Sequence, residues 1–227
     1  MARSKAGSDA YNYTVASHLE AKFDMPMEEF AAAHPEFDRF IVGGFVFTNA
    51  PLDDLPLSSS ASAKETILPD TSADSLPLML IMQRAASDSH GGRFDFPGGS
   101  AEPTDASLLD GVAREVFEET GFHVSHFREF VRMDNWAKVY PDKGLVRSAK
   151  FSFVVDVHEK TRGWEDSVLL AETEHSRWTW ATRDEIDESV QLCKEGMEDN
   201  ALYTFVGVQG ETAREAWQVY LGLSGKA

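Results

Sequence analysis

The chain has 227 residues, with 21 Lys and Arg against 38 Asp and Glu, for a formal net charge of −17. A field of that sign repels phosphate backbones and excludes polymeric nucleic acid as a partner class; small anionic substrates stay accessible if cations bind with them. The single cysteine, Cys193, excludes an intrachain disulfide, and no apolar run forms a secretory leader or a membrane span, so a cytoplasmic location without membrane partners is expected.

Residues 1–36 are polar, with one helix-like piece at PMEEFAAAH, and are expected to form an N-terminal arm packed on a domain spanning 37–227. DRFIVGGFVFTN (38–49) predicts a buried strand in which Gly43 and Gly44 mark a bulge. Residues 50–75, dominated by Pro, Ser and Asp, predict a long surface loop. LPLMLIMQRAA (76–86) predicts a strand antiparallel to the first, and FDFPGG (94–99) a short strand ending in a glycine pair. A helix is expected from about Ser107 to Thr120, capped by Thr104, Asp105 or Ser107 and stopped by Gly121.

VSHFREFVRMDNW (124–136) and RSAKFSFVVDVHE (147–159) predict a strand pair around a loop, AKVYPDKGLV. HSRWTWAT (175–182) alternates as a further strand, and C-terminal helices fill 183–223. Strands, one central helix, more strands, then helices describe an α+β fold, an α/β/α sandwich around a mixed β-sheet.

The central helix carries an unusual concentration of charge. Leu108, Leu109, Val112 and Val116 give it a core-facing stripe, and Glu115, Glu118 and Glu119 crowd beside that stripe near the C-terminal end. Like charges three or four residues apart destabilise a helix by about 0.2–0.5 kcal/mol per pair, and the macrodipole disfavours anions at that end. Arg114, four residues before Glu118, can neutralise one carboxylate, leaving Glu115 and Glu119 without a local cation. A hard divalent ion, which takes one or two protein carboxylates with waters and substrate phosphates, would convert that repulsion into attraction. Upstream, FPGGSAEPTD supplies a glycine turn open to close backbone approach, followed by Glu102 and Asp105.

Taken together, these residues resemble the Nudix family. Arg114-Glu115-Val116-Phe117-Glu118-Glu119-Thr120-Gly121-Phe122 matches the second half of its box, which here spans 98–122. The first half departs from the pattern: after five intervening residues Gly99 is followed by Asp105 where the family has glutamate, and eight residues instead of seven separate it from Arg114. Either Asp105 or Glu102 would stand in for the missing glutamate. The strand before the box and EHSRWTWATRDEI after it also look like Nudix flanks.

The resemblance implies hydrolysis of a diphosphate linkage in a nucleoside diphosphate derivative or similar small metabolite, helped by Mg²⁺ or Mn²⁺. By matching positions, it implies Glu115, Glu119 and Glu118 as metal ligands together with the Gly98 carbonyl. Glu118, oriented by Arg114, is alternatively a base. The general base varies within the family, and Glu174, or failing it Glu172, is the candidate outside the box. Arg84, Arg93 and His90 are candidates for phosphate contacts, and Trp136 and Tyr140 for stacking on a flat group. Many relatives dimerise, so a homodimer is a possible state. The rival expectation, supported by the altered first half of the box, is a Nudix-fold module that senses a nucleotide or metabolite without turnover.

Overall fold

The computed structural model describes residues 11–48, 76–159 and 163–224. The long loop expected at 50–75 falls outside them. The N-terminal segment holds more regular structure than its polarity suggested: strand β1 (Thr14–Val15), helix α1 (Ser17–Phe23) and helix α2 (Met27–Ala33). Then follow β2 (Arg39–Thr48), β3 (Leu78–Arg84), β4 (Phe94–Asp95), α3 (Leu108–Thr120), β5 (Val124–Tyr140), β6 (Gly144–Val157), β7 (His175–Ala181), α4 (Arg183–Lys194) and α5 (Gln209–Ser224).

The seven strands form one mixed sheet in the order β1-β5-β6-β2-β3-β4, with β7 also paired to β3. β2 runs parallel to β6 and antiparallel to β3. Its pairing with β6 is in register from Arg39–Ser148 to Val46–Val155, so Gly43 and Gly44 make no bulge. Their use is proximity. A Cβ on Gly44 would lie 2.7 Å from Val116 Cγ2, so this glycine lets α3 lie close against the sheet. Most of the stretch 137–146 is strand too. β5 and β6 continue as a paired ribbon to Tyr140 and Gly144, closing on a three-residue turn.

Two apolar layers flank the sheet. On one face Leu108, Leu109, Val112 and Val116 of α3 meet Val42, Val46, Phe153 and Val155, together with Leu19, Phe23 and Phe30 from the N-terminal helices. On the other face Ile186 and Val190 of α4 and Ala213, Ala216 and Trp217 of α5 cover Phe45, Met79, Ile81 and Phe96. This is the α/β/α arrangement of an α+β protein. Alternation along the strands produces it, since neighbouring side chains enter opposite layers.

α3 is well terminated at both ends. Ser107, in extended conformation, accepts the Asp110 amide on its side chain, and Gly121 closes the helix at φ 75° with its N–H on the Phe117 carbonyl. A left-handed residue there is what glycine supplies at least cost. α4 starts on a capping box between Thr182 and Glu185.

Candidate active site

The segment that enters the charged helix is fixed to the sheet before the helix begins. Val42 N donates to the Gly99 carbonyl at 2.9 Å, Gly44 N to the Pro97 carbonyl at 2.9 Å, and Ala101 N to the Phe40 carbonyl at 3.0 Å. That places the glycine pair directly beside α3. A Cβ on Gly98 would stand 2.2 Å from the Val42 carbonyl oxygen, and one on Gly99 2.6 Å from both carboxylate oxygens of Glu115. The turn is closed to side chains because the sheet lies against one glycine and a carboxylate against the other.

Arg114 organises the acidic cluster more extensively than its spacing to Glu118 suggested. Its Nε and Nη2 donate to the two oxygens of Asp105 at 2.9 and 3.1 Å. Nη1 donates to Glu115 Oε1 at 2.9 Å and to Glu118 Oε2 at 3.0 Å, and Nη2 also reaches the Ser100 carbonyl at 2.9 Å. Glu115 therefore does have a local cation, contrary to expectation, because the guanidinium fork serves three carboxylates at once. These contacts, the one with Asp105 foremost, hold the guanidinium charged. The two candidates for the missing box glutamate differ in their surroundings. Asp105 is buried and paired, whereas Glu102 is exposed, its carboxylate accepting from Thr104.

Glu119 lies deepest, only 4% exposed. Its Oε2 accepts the Gly98 amide at 2.7 Å, and its Oε1 is 3.9 Å from Nε2 of the buried His175. Burial pushes its carboxyl well above the usual carboxylate range, opposed by the Gly98 hydrogen bond and reinforced by the charges of Glu115, Asp95 and Glu174. Glu115 is also raised, by burial first, with Glu118 and Glu174 adding to it and Arg114 opposing. The charge of Glu174, exposed on the turn that begins β7, thus reaches both carboxyls. Glu118 is the open member of the group, with a side chain 54% exposed.

The remaining expected contacts lie elsewhere or are already engaged. Arg84 donates to Asp88, to Asp95 at 3.4 Å and to the Ser89 carbonyl at 2.9 Å, and Arg93 to Glu198 at 3.1 Å and the Phe205 carbonyl at 3.2 Å. Both guanidinium groups are thus held by protein partners, with donors to spare on Arg93, whose side chain is 39% exposed. His90 sits at positive φ in the turn before β4. Trp136 and Tyr140 stand on the β5–β6 ribbon, not in a loop; Trp136 is exposed and Tyr140 lies under Lys138. Cys193 is half-buried on α4.

Sequence reasoning missed His175, Asp95 and Lys150. Asp95 is a buried acceptor for Lys150 Nζ at 3.2 Å, and the same ammonium donates to Gln209 Oε1 at 2.8 Å. The only signal for either was position: His175 opens β7 just after Glu174, and Asp95 sits between two phenylalanines in FDF.

Hard carboxylate oxygens suit Mg²⁺ or Mn²⁺, and burial has raised the cost of leaving two such groups ionised side by side. Among the described residues, no three acidic, thiol or imidazole groups stand together as a ready-made cage. The donor chemistry fits an ion that takes two carboxylates here and completes its shell with carbonyl, water and substrate oxygens.

A strand, a glycine turn and a capped helix with this charge order define a Nudix-type loop–helix. The NUDIX domain model matches residues 67–201, and the chain belongs to that family. Among curated proteins, none matches the chain. Solved structures with a similar fold include the MutT protein from Methanosarcina mazei Go1, with 18% identity, 79% of this chain and 94% of that one covered, and a TM-score of 0.46. A C. elegans Ap4A hydrolase binary complex shares 13% identity over 81% of this chain and 98% of that one, with a TM-score of 0.47. The NUDIX domain of Shewanella oneidensis NrtR, complexed with ADP ribose, shares 16% over 85% and 99%, with a TM-score of 0.47. Among the described residues no helix is long and apolar enough to cross a membrane.

Proposed function

We propose that this protein hydrolyses the diphosphate linkage of a nucleoside diphosphate derivative or a similar small phosphorylated metabolite, with Mg²⁺ or Mn²⁺ as cofactor. One observation carries the reading. Glu115 and Glu119 both end at the Gly98–Gly99 turn, the first against the Gly99 Cα and the second on the Gly98 amide.

Glu115 and Glu119 would hold the ion, with Glu118 and the Gly98 carbonyl as further donors. The chemistry such an ion supplies is neutralisation of phosphate oxygens and a lowered pKa for the attacking water. The chain's own residues do the rest. The Gly98 amide orients Glu119. Arg114 fixes the rotamers of Glu115 and Glu118, so their carboxylates need not reorganise when substrate arrives. Glu174, exposed on the turn before β7 and felt electrostatically by both buried glutamates, accepts the proton of the water as its oxygen bonds to phosphorus and the bridging P–O bond breaks.

The test is a substrate panel of ADP-ribose, dinucleoside polyphosphates, NADH, oxidised deoxynucleoside triphosphates and prenyl diphosphates, with Mg²⁺ or Mn²⁺, read as release of phosphate or nucleotide. Turnover that disappears in Glu118→Gln and Glu119→Gln supports the hydrolase. Binding without turnover of any member would support the sensing module instead. That second reading is favoured by one observation: Arg114 already neutralises Glu115.

A further inference from the structure

The outer edge of β5 is open for most of its length. β1 pairs with it only at His126 and Phe127, and α1 then meets it at Glu129, where His18 Nε2 lies 2.8 Å from the carboxylate. Among the described residues no strand adds to this edge from Arg132 to Tyr140, although the pairing with β6 on the other side runs unbroken from Arg132–Ser152 to Tyr140–Gly144. β2 leaves β6 at Ser148, so beyond that point the two strands form a ribbon by themselves, with every residue from Asn135 to Val139 exposed. A two-stranded ribbon is only marginally stable in water, and a bare edge is a template for a further strand. This one also carries large apolar side chains in the open: Met133, Trp136, Val139 and, directly across from Val139, Leu145.

The edge is complementary to itself in one register. Two copies meeting about a twofold axis normal to the sheet oppose residues that point to the same face, so the axis passes through a single residue. Like charges directly opposite are destabilising. An axis at Asn135 sets Arg132 against Lys138, one at Lys138 sets that lysine against its counterpart, and one at Asp134 sets two carboxylates face to face. An axis at Ala137 sets Val139 against the polar Asn135. An axis at Trp136 avoids all of these. It opposes Met133 and Val139 twice, brings Trp136 against its counterpart, and sets Lys138 over Asp134, whose carboxylate is also held by Thr212 and Arg132. The long-range field agrees. Arg132, Lys138, Lys143 and Arg147 outnumber Asp134 and Asp142 along 131–147, a local positive excess in a chain of net charge −17, so two copies meet little repulsion at this ribbon.

We propose that the protein self-associates through this edge: a second copy lays its own 132–140 antiparallel to the first, in register on Trp136, so that the strand order β6-β5-β5-β6 carries the sheet across the dimer. The ribbon gains a strand on its bare side, and the exposed Met133 and Val139 cover one another. Trp136 finds its partner in the same residue of the second copy and not in a substrate ring. The sequence allowed a homodimer without saying where; the open edge supplies a surface and a register. Neither depends on the chemistry at Glu115 and Glu119.

Sedimentation of the full chain across micromolar concentrations reads the association, and the wild type should be a dimer. Val139→Lys and Met133→Glu each act twice in a symmetric dimer, and each should raise its dissociation constant by more than about tenfold. Combined, the two substitutions set opposite charges against each other and should return the constant to within about threefold of wild type. Directly opposite residues also lie within disulfide reach. In a Cys193→Ser background, oxidised Trp136→Cys should therefore link copy to copy, as should Met133→Cys together with Val139→Cys, while neither of those two alone should. A monomer at every concentration, which would leave the edge to a strand of some other protein, overturns the proposal. So does a dimer indifferent to both charge variants, or one that cross-links through Met133→Cys alone. Should the variants fail to fold, the wild type decides the matter: backbone amides within 132–140 must exchange more slowly in the dimer than in the diluted monomer, and exchange that is the same in both removes this edge from the interface.

Discussion

Arg114 clasps Asp105 with a two-point fork, Nε to Oδ1 and Nη2 to Oδ2, from side chains that are 12% and 5% exposed. The pair spans nine residues and ties the end of the glycine turn to the middle of α3. Removing one partner of a buried pair leaves the other charge uncompensated, at about 3–5 kcal/mol. Asp105→Ala should therefore destabilise the protein by about that amount and release Arg114 from its fixed position, with kcat falling more than about tenfold. Glu102→Ala, at an exposed site, should stay within about 0.5 kcal/mol. Chemical denaturation of the two variants separates them.

Glu119 gives a pH signature with a definite sign. Its folded carboxyl is raised above the ordinary value by burial, so the folded state holds its proton more tightly than the unfolded chain does. The stability it contributes is full below the unfolded carboxylate pKa and is lost as pH rises through the higher folded one. Glu119→Gln should accordingly raise the melting temperature of the metal-free protein near neutral pH by a few degrees, flatten its dependence above about pH 5, and abolish turnover. Thermal melts across pH, on wild type and variant, measure this.

Divalent ions should then do for the wild type what the substitution does for the variant. Mg²⁺ or Mn²⁺ binding the folded state alone stabilises it by mass action, about 2.7 kcal/mol at a concentration a hundred times Kd. Calorimetric melts with and without chelator should show a metal-dependent rise that is absent from the Glu115→Gln, Glu119→Gln double variant.

The two box glycines should fail differently. In Gly98→Ala the new methyl meets backbone, the Val42 carbonyl oxygen at 2.2 Å, which cannot yield without opening the strand contact. Loss of folding is expected. In Gly99→Ala it meets the Glu115 carboxylate, the far end of a side chain, at 2.6 Å. That variant should fold, with a melting temperature within a few degrees of wild type, but bind metal and turn over poorly.

Glu174→Gln tests the base. Loss of a positioned general base lowers kcat by about 10²–10⁴-fold. The side chain is exposed, so stability should hardly change. Glu172→Gln should spare kcat, and measuring both variants at saturating substrate distinguishes them.

Much of this was legible in the chain. The layers follow from alternation in FIVGGFVF and LMLIMQ, and α3 from its stripe, its Ser107 cap and Gly121. The convergence of Glu115 and Glu119 followed from helical spacing. What was not legible depends on distant segments. No spacing rule says that Arg114 reaches past Glu118 to Asp105 and Glu115, because a guanidinium's partners depend on which loop folds beside it. Trp136 attracted attention as an aromatic near a presumed loop, yet 137–146 is a ribbon whose partner strand supplies the regularity its composition hides. His175 offered no signal beyond its place after Glu174: only the fold brings β7 beside the end of α3, where Nε2 lies 3.9 Å from Glu119.

The position of β2 has a practical consequence. The family match starts at residue 67, yet among the described residues β6 and β3 are joined in the sheet through Arg39–Thr48, which precedes it. A fragment trimmed to 67–201 would retain every box carboxylate but split its sheet into two halves, and would also discard α5. The recognisable span is thus a signature without a scaffold, and any minimal version of this protein has to be cut outside it on both sides.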